Sequence, residues 1–313
     1  MQVHRSFVFF GTGEFAQAVL RKFIEINRLP ILVVTAPDKR AGRGLKLRPR
    51  PIKLMAEEVG IKVLQPESLE DKGFLSKIRN LQPDFMVVTD YGKIIPPNLL
   101  RWPKLAPLNI HPSLLPKFRG AAPIERAMMA CERTLGVTVI IMDEGIDTGD
   151  ILLQSTVEIG EAETKGEVEQ RLADVGFRLI IRAMDEFEDL TPRPQSSEGA
   201  SYAKKIRKNE LWIDWTSDAK SIACKINALS PTPCARTYFD DRYVKLFRAV
   251  AVQTDAKAEP GSIEIQKDRL FVAANNGLVE ILELQPEGKR RMKASEFLRG
   301  YCPRKASSSK PSV

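Results

Sequence analysis

At 313 residues the chain exceeds one typical domain, and with 43% hydrophobic residues it can bury substantial cores, so two domains are expected. No apolar run reaches the length of a membrane span, and the N-terminus passes directly into a strand without the organisation of a signal or transit peptide. Four scattered cysteines (Cys131, Cys224, Cys234, Cys302) and only two histidines favour neither a disulfide framework nor a metal site, so reduced thiols and no metal are expected. A cytoplasmic monomer is the expectation for the whole.

The net charge of +8 is unevenly placed. Residues 1–189 hold 26 Lys and Arg against 26 Asp and Glu, whereas residues 190–313 hold 22 against 14. A basic second half on a neutral first half fits a polyanionic partner, although a surplus of this size also serves solubility.

In chain order, residues 6–10 form an apolar, aromatic run closed by Gly11-Thr12-Gly13, after which Phe15, Ala18, Val19 and Phe23 recur at helical spacing through Asn27. This reads as strand, tight turn, helix. A dinucleotide fingerprint would need a third glycine at position 16, which is Ala, and no acidic residue ends the next strand at 31–35. Residues 36–53 are rich in Gly and Pro and carry Lys39, Arg40, Arg43, Lys46, Arg48, Arg50 and Lys53 against Asp38 alone. A loop this long is read either as a solvated basic segment or as a clamp on a nucleic-acid backbone, the second being favoured.

Residues 59–64, a helix around 69–80 and a strand at 84–89 that ends at Asp90-Tyr91-Gly92-Lys93 continue a β-α-β alternation and a parallel sheet. The run 105–110 has the length of a buried strand, which leaves Asn109 and His111 on one side of its end with Ile110 facing the core. The next strand, 137–142, runs into Gly145 and Gly149, which turn the chain around Asp147. An amide, an imidazole and a carboxylate then converge at carboxyl ends of strands, where open α/β sheets place ligands. A lone His is more often a packed residue than a catalyst, but the other histidine, His4, lies at the extreme N-terminus, so any histidine chemistry falls to His111.

A strand at 151–159 and an amphipathic helix at 165–189 complete a first domain spanning 1–189. The Pro/Ser-rich segment 190–208 reads as a linker, and residues 209–313 alternate short β-like runs (235–239, 243–249, 261–265, 269–273, 278–284) with turns, the pattern of a small barrel.

The segments Asn109-Ile-His111, Ser113-Leu-Leu-Pro116, Arg119-Gly-Ala-Ala-Pro-Ile124 and Asp143-Glu-Gly-Ile-Asp-Thr-Gly-Asp150 resemble the active-site signature of the 10-formyltetrahydrofolate-dependent formyltransferases, and the segment 284–300 is similar to the closing signature of the tRNA-formylating members. The resemblance covers nearly the whole chain. It implies a Rossmann-like, mostly parallel α/β catalytic domain followed by an OB-like β-barrel. It also implies Asn109, His111 and Asp147 as catalytic residues and Ser113, Leu114, Leu115 and Pro116 as part of the site for the co-substrate 10-formyltetrahydrofolate. On this view the Tyr91-Gly92-Lys93 turn and the turn holding Asp143 also line the folate site. The tRNA-formylating members carry a similar Ala-Gly-Arg-Gly insertion that reaches the acceptor stem, so the implied partner is methionyl-initiator tRNA. Lys39, Arg40, Arg43, Lys46, Arg48, Lys204, Lys205, Lys289, Arg290 and Arg291 are its expected contacts. Two departures stand out: Gly13-Glu14 replaces the family's usual Pro-Asp, and Asp90 replaces its common Ala.

Formyl transfer to an α-amine needs no strong base, because such an amine has a reference pKa of about 7.7 to 8.0 and is partly neutral at pH 7. The harder task is the oxyanion of the tetrahedral intermediate. Asn109 and His111 are therefore expected as oxyanion donors and Asp147 as orienter and proton relay. The alternatives are a formyltetrahydrofolate hydrolase using the same three residues, formylation of a small nucleotide substrate, and a non-catalytic RNA-binding protein.

Overall fold

A computed structural model describes residues 5–41, 46–254 and 258–309, with the side chains of residues 40, 41 and 46 left outside the description. His4 and Arg43 lie outside the described residues. The elements run β1 (Phe7–Gly11), α1 (Glu14–Glu25), β2 (Leu32–Val34), β3 (Lys39–Ala41), β4 (Lys46–Arg48), α2 (Pro51–Glu58), β5 (Val63–Leu64), α3 (Lys72–Ile78), β6 (Phe85–Thr89), α4 (Pro97–Leu100) and β7 (Ala106–His111). They continue with β8 (Arg119–Gly120), α5 (Pro123–Met129), β9 (Thr134–Ile141), β10 (Ile151–Glu158), α6 (Lys165–Asp185) and β11 (Tyr202–Ala203). Last come α7 (Ala219–Ala228), β12 (Ala235–Phe239), β13 (Arg242–Val252), β14 (Ile263–Gln266), β15 (Arg269–Ala274), β16 (Gly277–Pro286), β17 (Met292–Lys293), α8 (Ala294–Leu298) and β18 (Ala306–Ser307).

The chain divides into two compact units. The first comprises residues 1–121, 136–157 and 169–203; the second comprises 122–135, 158–168 and 204–313.

In the first unit a seven-stranded sheet has the order β10-β9-β7-β6-β1-β2-β5, with β5, β2, β1, β6 and β7 parallel and β9 antiparallel to β7. Strands β1 and β6 are buried at every position, which is why each reads as an apolar run rather than an alternation. Helix α6 approaches β7 closely at Gly176, where a Cβ would come within 2.8 Å of Ile110 Cγ2. That contact fixes Ile110 on the side opposite Asn109 and His111.

Residues 36–41 and 46–53 of the basic segment are more ordered than a solvated loop. Strands β3 and β4 form a hairpin with Lys39 opposite Arg48, and α2 begins at Pro51 and buries Ile52. Asp38, the segment's one acid, ties it down: its carboxylate accepts from Arg50 N (3.2 Å), Lys53 Nζ (3.1 Å) and Gln65 Nε2 (2.7 Å). The amide of Gln65 holds its pKa below the usual carboxylate value. Two of the seven cations are thus held inward, since Arg50 also donates to Pro37 O at 2.9 Å.

The expected linker is also bound. Arg193 bridges Ile151, Ser201 accepts from Arg119 N, and β11 pairs with β8 in parallel, Tyr202 with Arg119 and Ala203 with Gly120.

In the second unit the sheet β14-β15-β16-β13-β12-β18 curls until its edges meet. Ser262 bridges Lys305, and Ala306 N donates to Gly261 O at 2.7 Å. The barrel core gathers Ile213, Trp215, Ile226, Phe239, Leu246, Val272 and Ile281. Helix α7, which the sequence reading passed over, starts at Asp218, whose carboxylate accepts from Ser221 N at 2.8 Å, and buries Ile222 and Ile226 against this core. The cysteines also differ from expectation: Cys131 and Cys224 are joined in a disulfide between the end of α5 and α7, while Cys234 and Cys302 are free. Scattered sequence positions carry no information about a pair 93 residues apart. Among the described residues, no helix is long and apolar enough to cross a membrane.

Candidate active site

Three residues meet at the end of β7, all within the first unit. The strand leaves Asn109 and His111 buried at 8% and 5% exposure. Asp147 comes from the turn between β9 and β10, in a left-handed conformation (φ +54°) that is uncommon for a non-glycine residue. Gly149 permits this turn, because a Cβ there would lie 1.8 Å from Ile141 O. Asp147 Oδ1 accepts from Asn109 Nδ2 at 3.2 Å and faces His111 Nδ1 at 3.6 Å, an ion-pair approach; Oδ2 accepts from Gly120 N at 2.8 Å. His111 Nε2 lies 2.9 Å from Phe118 O, and a carbonyl only accepts, so Nε2 carries a hydrogen. The other ring nitrogen, Nδ1, is the one facing Asp147. Asn109 uses one of its two Nδ2 hydrogens on Asp147, leaving a second for a ligand.

The backbone of Asp147 is clamped by a residue the sequence reading missed. Gln195 Nε2 donates to Asp147 O (2.9 Å) and Gly149 O (2.8 Å), and Arg119 holds Gln195 Oε1 with two hydrogen bonds of 3.1 and 2.7 Å. Nothing about one glutamine in a Pro/Ser-rich run signals this role. The same holds for Phe118, which acts through its carbonyl from a positive-φ position (+59°).

The residues expected around the folate fall into two groups. Several side chains are turned inward: Ser113 Oγ donates to Lys117 O (2.7 Å), and Leu115 packs with Ile140 and Ile151. Lys93 Nζ is taken by Pro66 O (3.0 Å) and Glu67 O (2.6 Å), and Asp143 Oδ1 accepts from Gly145 N (3.1 Å) and Thr148 Oγ1 (2.7 Å). These side chains build the turns. The loop after β7 is held on β9 by Thr138, which donates to Ser113 O (2.7 Å) and accepts from Leu115 N (3.2 Å), and by Leu114 lying over Gly136. What the turns leave outward is backbone and apolar surface, including Ile94 (76% exposed) and Ile146 (57% exposed). Tyr91 is buried, and its hydroxyl has no partner among the described residues; burial pushes its pKa up to about 12. Gly92 takes φ +78°, which the turn requires.

The two departures noted in the sequence are in contact. Thr12 N and Gly13 N donate to Asp90 O (3.0 and 3.1 Å), and a Cβ on residue 13 would lie 1.8 Å from Asp90 Oδ2.

The expected nucleic-acid contacts are divided between the units. Lys39 and Arg48 are exposed on the β3–β4 hairpin of the first unit; Arg40 and Lys46 have side chains outside the description, and Arg43 lies beyond it. In the second unit Lys204, Lys205 and Lys289 are exposed and have no carboxylate within ion-pair distance among the described residues. Arg290 and Arg291 are instead paired with Glu296 and Glu283. Arg126 frames the 204–205 segment: it donates to Lys204 O (2.8 Å) and Lys205 O (3.3 Å) and is paired with Glu210 (2.6 Å).

Comparison with known proteins agrees with this architecture. The formyl transferase model matches residues 4–184 and the formyl transferase C-terminal domain model matches residues 205–302. Methionyl-tRNA formyltransferase of Thermodesulfovibrio yellowstonii is 40% identical over 295 residues, covering 94% of this chain and 95% of that protein. The enzyme of the same name from Dictyoglomus thermophilum is 41% identical over 302 residues, covering 94% and 96%. Among solved structures, HypX from Aquifex aeolicus in complex with tetrahydrofolic acid aligns at a TM-score of 0.62 and 19% identity, covering 95% of this chain and 47% of that one. Methionyl-tRNA formyltransferase from Clostridium thermocellum aligns at 0.55 and 17%, covering 81% and 95%. With both family models matched over most of the chain and relatives near 40% identity along nearly its full length, this chain belongs to the formyl transferase family.

Proposed function

We propose that the chain transfers the formyl group of 10-formyltetrahydrofolate to the α-amino group of methionyl-initiator tRNA, giving N-formylmethionyl-tRNA for translation initiation, and that it does so as a cytoplasmic monomer. The observation that carries this reading is the Asn109–His111–Asp147 cluster at strand ends, in a chain about 40% identical to curated methionyl-tRNA formyltransferases over 94% of its length. The site suits a reduced folate. Exposed Ile94 and Ile146 offer apolar contact to a flat ring, and the turns at 91–93, 113–116 and 142–147 offer backbone donors and acceptors. The folate supplies an acyl group already bound to nitrogen; the chain supplies orientation, charge stabilisation and proton transfer.

In this mechanism the second Nδ2 hydrogen of Asn109 donates to the oxygen that becomes negative as the amine attacks. Such a preorganised donor contributes about 10² to 10³ in rate. Asp147 holds Asn109 through Oδ1 and is itself fixed by Gly120 N and Gln195, so neither side chain needs to reorganise. The Nδ1 position of His111, facing Asp147, is where a proton is held and released, and the pair passes it between attacking amine and departing nitrogen. With Nε2 engaged on Phe118 O, His111 acts as the proton carrier more than as a second oxyanion donor.

The tRNA is held by phosphate contacts from the β3–β4 hairpin, carrying Lys39, Arg40, Lys46 and Arg48 with Arg43 between them, and from Lys204, Lys205 and Lys289; the pairing of Arg290 and Arg291 with carboxylates makes them weaker contributors. A stacked Trp212–Tyr238 pair (5.4 Å, 9°) beside Tyr243 adds aromatic surface to the second unit. A 10-substituted folate analogue soaked into crystals tests the folate reading directly: density among the three turns is expected, and density at the Gly11 turn would contradict it.

A further inference from the structure

We infer that Asp90 is a positioning residue, whose carboxylate fills the N-terminal end of α1 in place of a side chain at position 13 and so fastens the 90–92 turn to the Gly11–Gly13 turn. The topology makes this place special. From β1 the chain goes out to β2 and β5 on one side and returns to β6 on the other, so the strand order reverses between β1 and β6. In open α/β sheets the crevice at such a switch point, with the helix that follows the first strand aimed at it, is the usual place for an anionic ligand.

Here the chain fills that crevice itself. Helix α1 begins at Glu14, and its N-cap, Gly13, provides no side-chain hydrogen bond. The volume a side chain at 13 would take is occupied by Asp90, whose Oδ2, Cγ and Oδ1 lie 1.8, 2.4 and 2.7 Å from the position of a Cβ there. A carboxylate at this end is favoured by the helix dipole. The backbone is fastened as well, since Asp90 O accepts from both Thr12 N and Gly13 N. Asp90 stands at φ +44°, a conformation that Asp tolerates better than most side chains, and Gly92 at φ +78° completes the turn. Gly13 and Asp90 are therefore one device: the missing side chain makes room for the carboxylate, and the carboxylate places a negative charge at the helix end that glycine leaves uncapped.

Two consequences follow. A carboxylate at this end of α1 opposes the phosphates of a dinucleotide by charge and by the space it takes. The 90–92 turn, one wall of the proposed folate site, is held in register by a side chain outside the Asn109–His111–Asp147 cluster. This second consequence rests on the folate reading above.

The test uses the full chain and four variants: Asp90→Gly, which keeps the positive φ accessible, Asp90→Asn, Gly13→Ala, and the Gly13→Ala/Asp90→Gly double change. Urea unfolding and the Kd of a 10-substituted folate analogue are measured for each, together with kcat and the KM for the formyl donor. Asp90→Gly is expected to weaken analogue binding by about two- to tenfold, the factor associated with one carboxylate at a helix N-terminus, with a larger change in KM than in kcat. Asp90→Asn should restore most of the affinity. Gly13→Ala should be harmful alone and nearly silent once Asp90 is Gly, in both unfolding and Kd. Inorganic phosphate should raise the Tm of Asp90→Gly more than that of the parent, because the helix end is then open. Additive effects at 13 and 90 would overturn the proposal, as would parent-like analogue affinity in Asp90→Gly. Should the parent itself fail to bind the analogue, the folate reading falls, while the coupling seen in unfolding and the phosphate response still decide the pairing of Gly13 with Asp90.

Discussion

Asp147 sits at a backbone conformation that costs free energy and is held there by three groups: Gly120 N on its carboxylate, Gln195 on its carbonyl, and Asn109 on its other carboxylate oxygen. Strain that the surroundings over-determine is typical of residues whose placement matters to function. Replacing Asn109, His111 or Asp147 by Ala is expected to lower kcat by about 10² or more, and double replacements should cost far less than the product of the singles, because each residue acts through the others. Single-turnover rates of the folded variants check this; a near-normal rate for His111→Ala would remove it from the chemistry. Tyr91→Phe makes a sharper prediction. Its hydroxyl is buried without a partner among the described residues, so its removal should leave stability unchanged or improved and the KM for the formyl donor unchanged. A clear loss of stability in urea unfolding would show that the hydroxyl is satisfied in solution. Asn109 and His111 were legible in the sequence because a period of two in a short apolar run places them on one side. Gln195 and the carbonyl of Phe118 were not, because one is a single polar residue among prolines and the other is a backbone atom.

At the scale of elements, the misread segments share a cause. The sequence 36–53 reads as a long basic loop because its pattern is dominated by Gly, Pro and charge, yet a single carboxylate at Asp38 and the burial of Ile52 organise its described residues. The 190–208 segment looked like a free linker for similar reasons, and its backbone is spent on β8 and β10. Helix α7 carried a readable pattern, Asp218 followed by Ile222 and Ile226, but the neighbouring β-like runs outweighed it. Inside the second unit, α5 is fastened to the 204–210 segment by Arg126 and Glu210. The hydrogen bond from Arg126 holds the Glu210 carboxyl down to about 2, against an ordinary value of 4.5. Because the folded-state value is the lower one, this stabilisation is fully present above pH 4.5 and is lost as the pH falls toward 2. Glu210→Gln should therefore cost about 1 kcal/mol in urea unfolding at pH 7 and converge with the parent as the pH approaches 2. An unfolding difference that stays constant across that range would show that the charge plays no part.

For the molecule as a whole, the two units are discontinuous in sequence: α5 and residues 158–168 belong with the C-terminal barrel, while residues 169–203 return to the first sheet. Deleting the chain after residue 203 would strip α5 of its packing on α7 and of Arg126's partners, so substitutions probe tRNA binding more cleanly than truncation. Replacing Lys204, Lys205 and Lys289 together by Ala should weaken tRNA binding and reduce the log-log salt slope by roughly two to three, at about 0.9 per duplex phosphate contact, with folate affinity unchanged. An unaltered slope would place the phosphate contacts elsewhere. The α/β-plus-barrel architecture was readable because buried parallel strands and short alternating runs each carry a period; the interleaving of the units was not, because it depends on contacts between segments far apart in the chain. The claim that the whole chain serves formylation of a tRNA-borne amine is tested most directly by supplying 10-formyltetrahydrofolate and following labelled formyl into methionyl-tRNA, with glycinamide ribonucleotide and water alone as competing acceptors. Stoichiometric labelling of methionyl-tRNA, with little formate released in its absence, is the predicted result. Formate release at the same rate with and without methionyl-tRNA, and no label on the tRNA, would contradict it and identify a hydrolase.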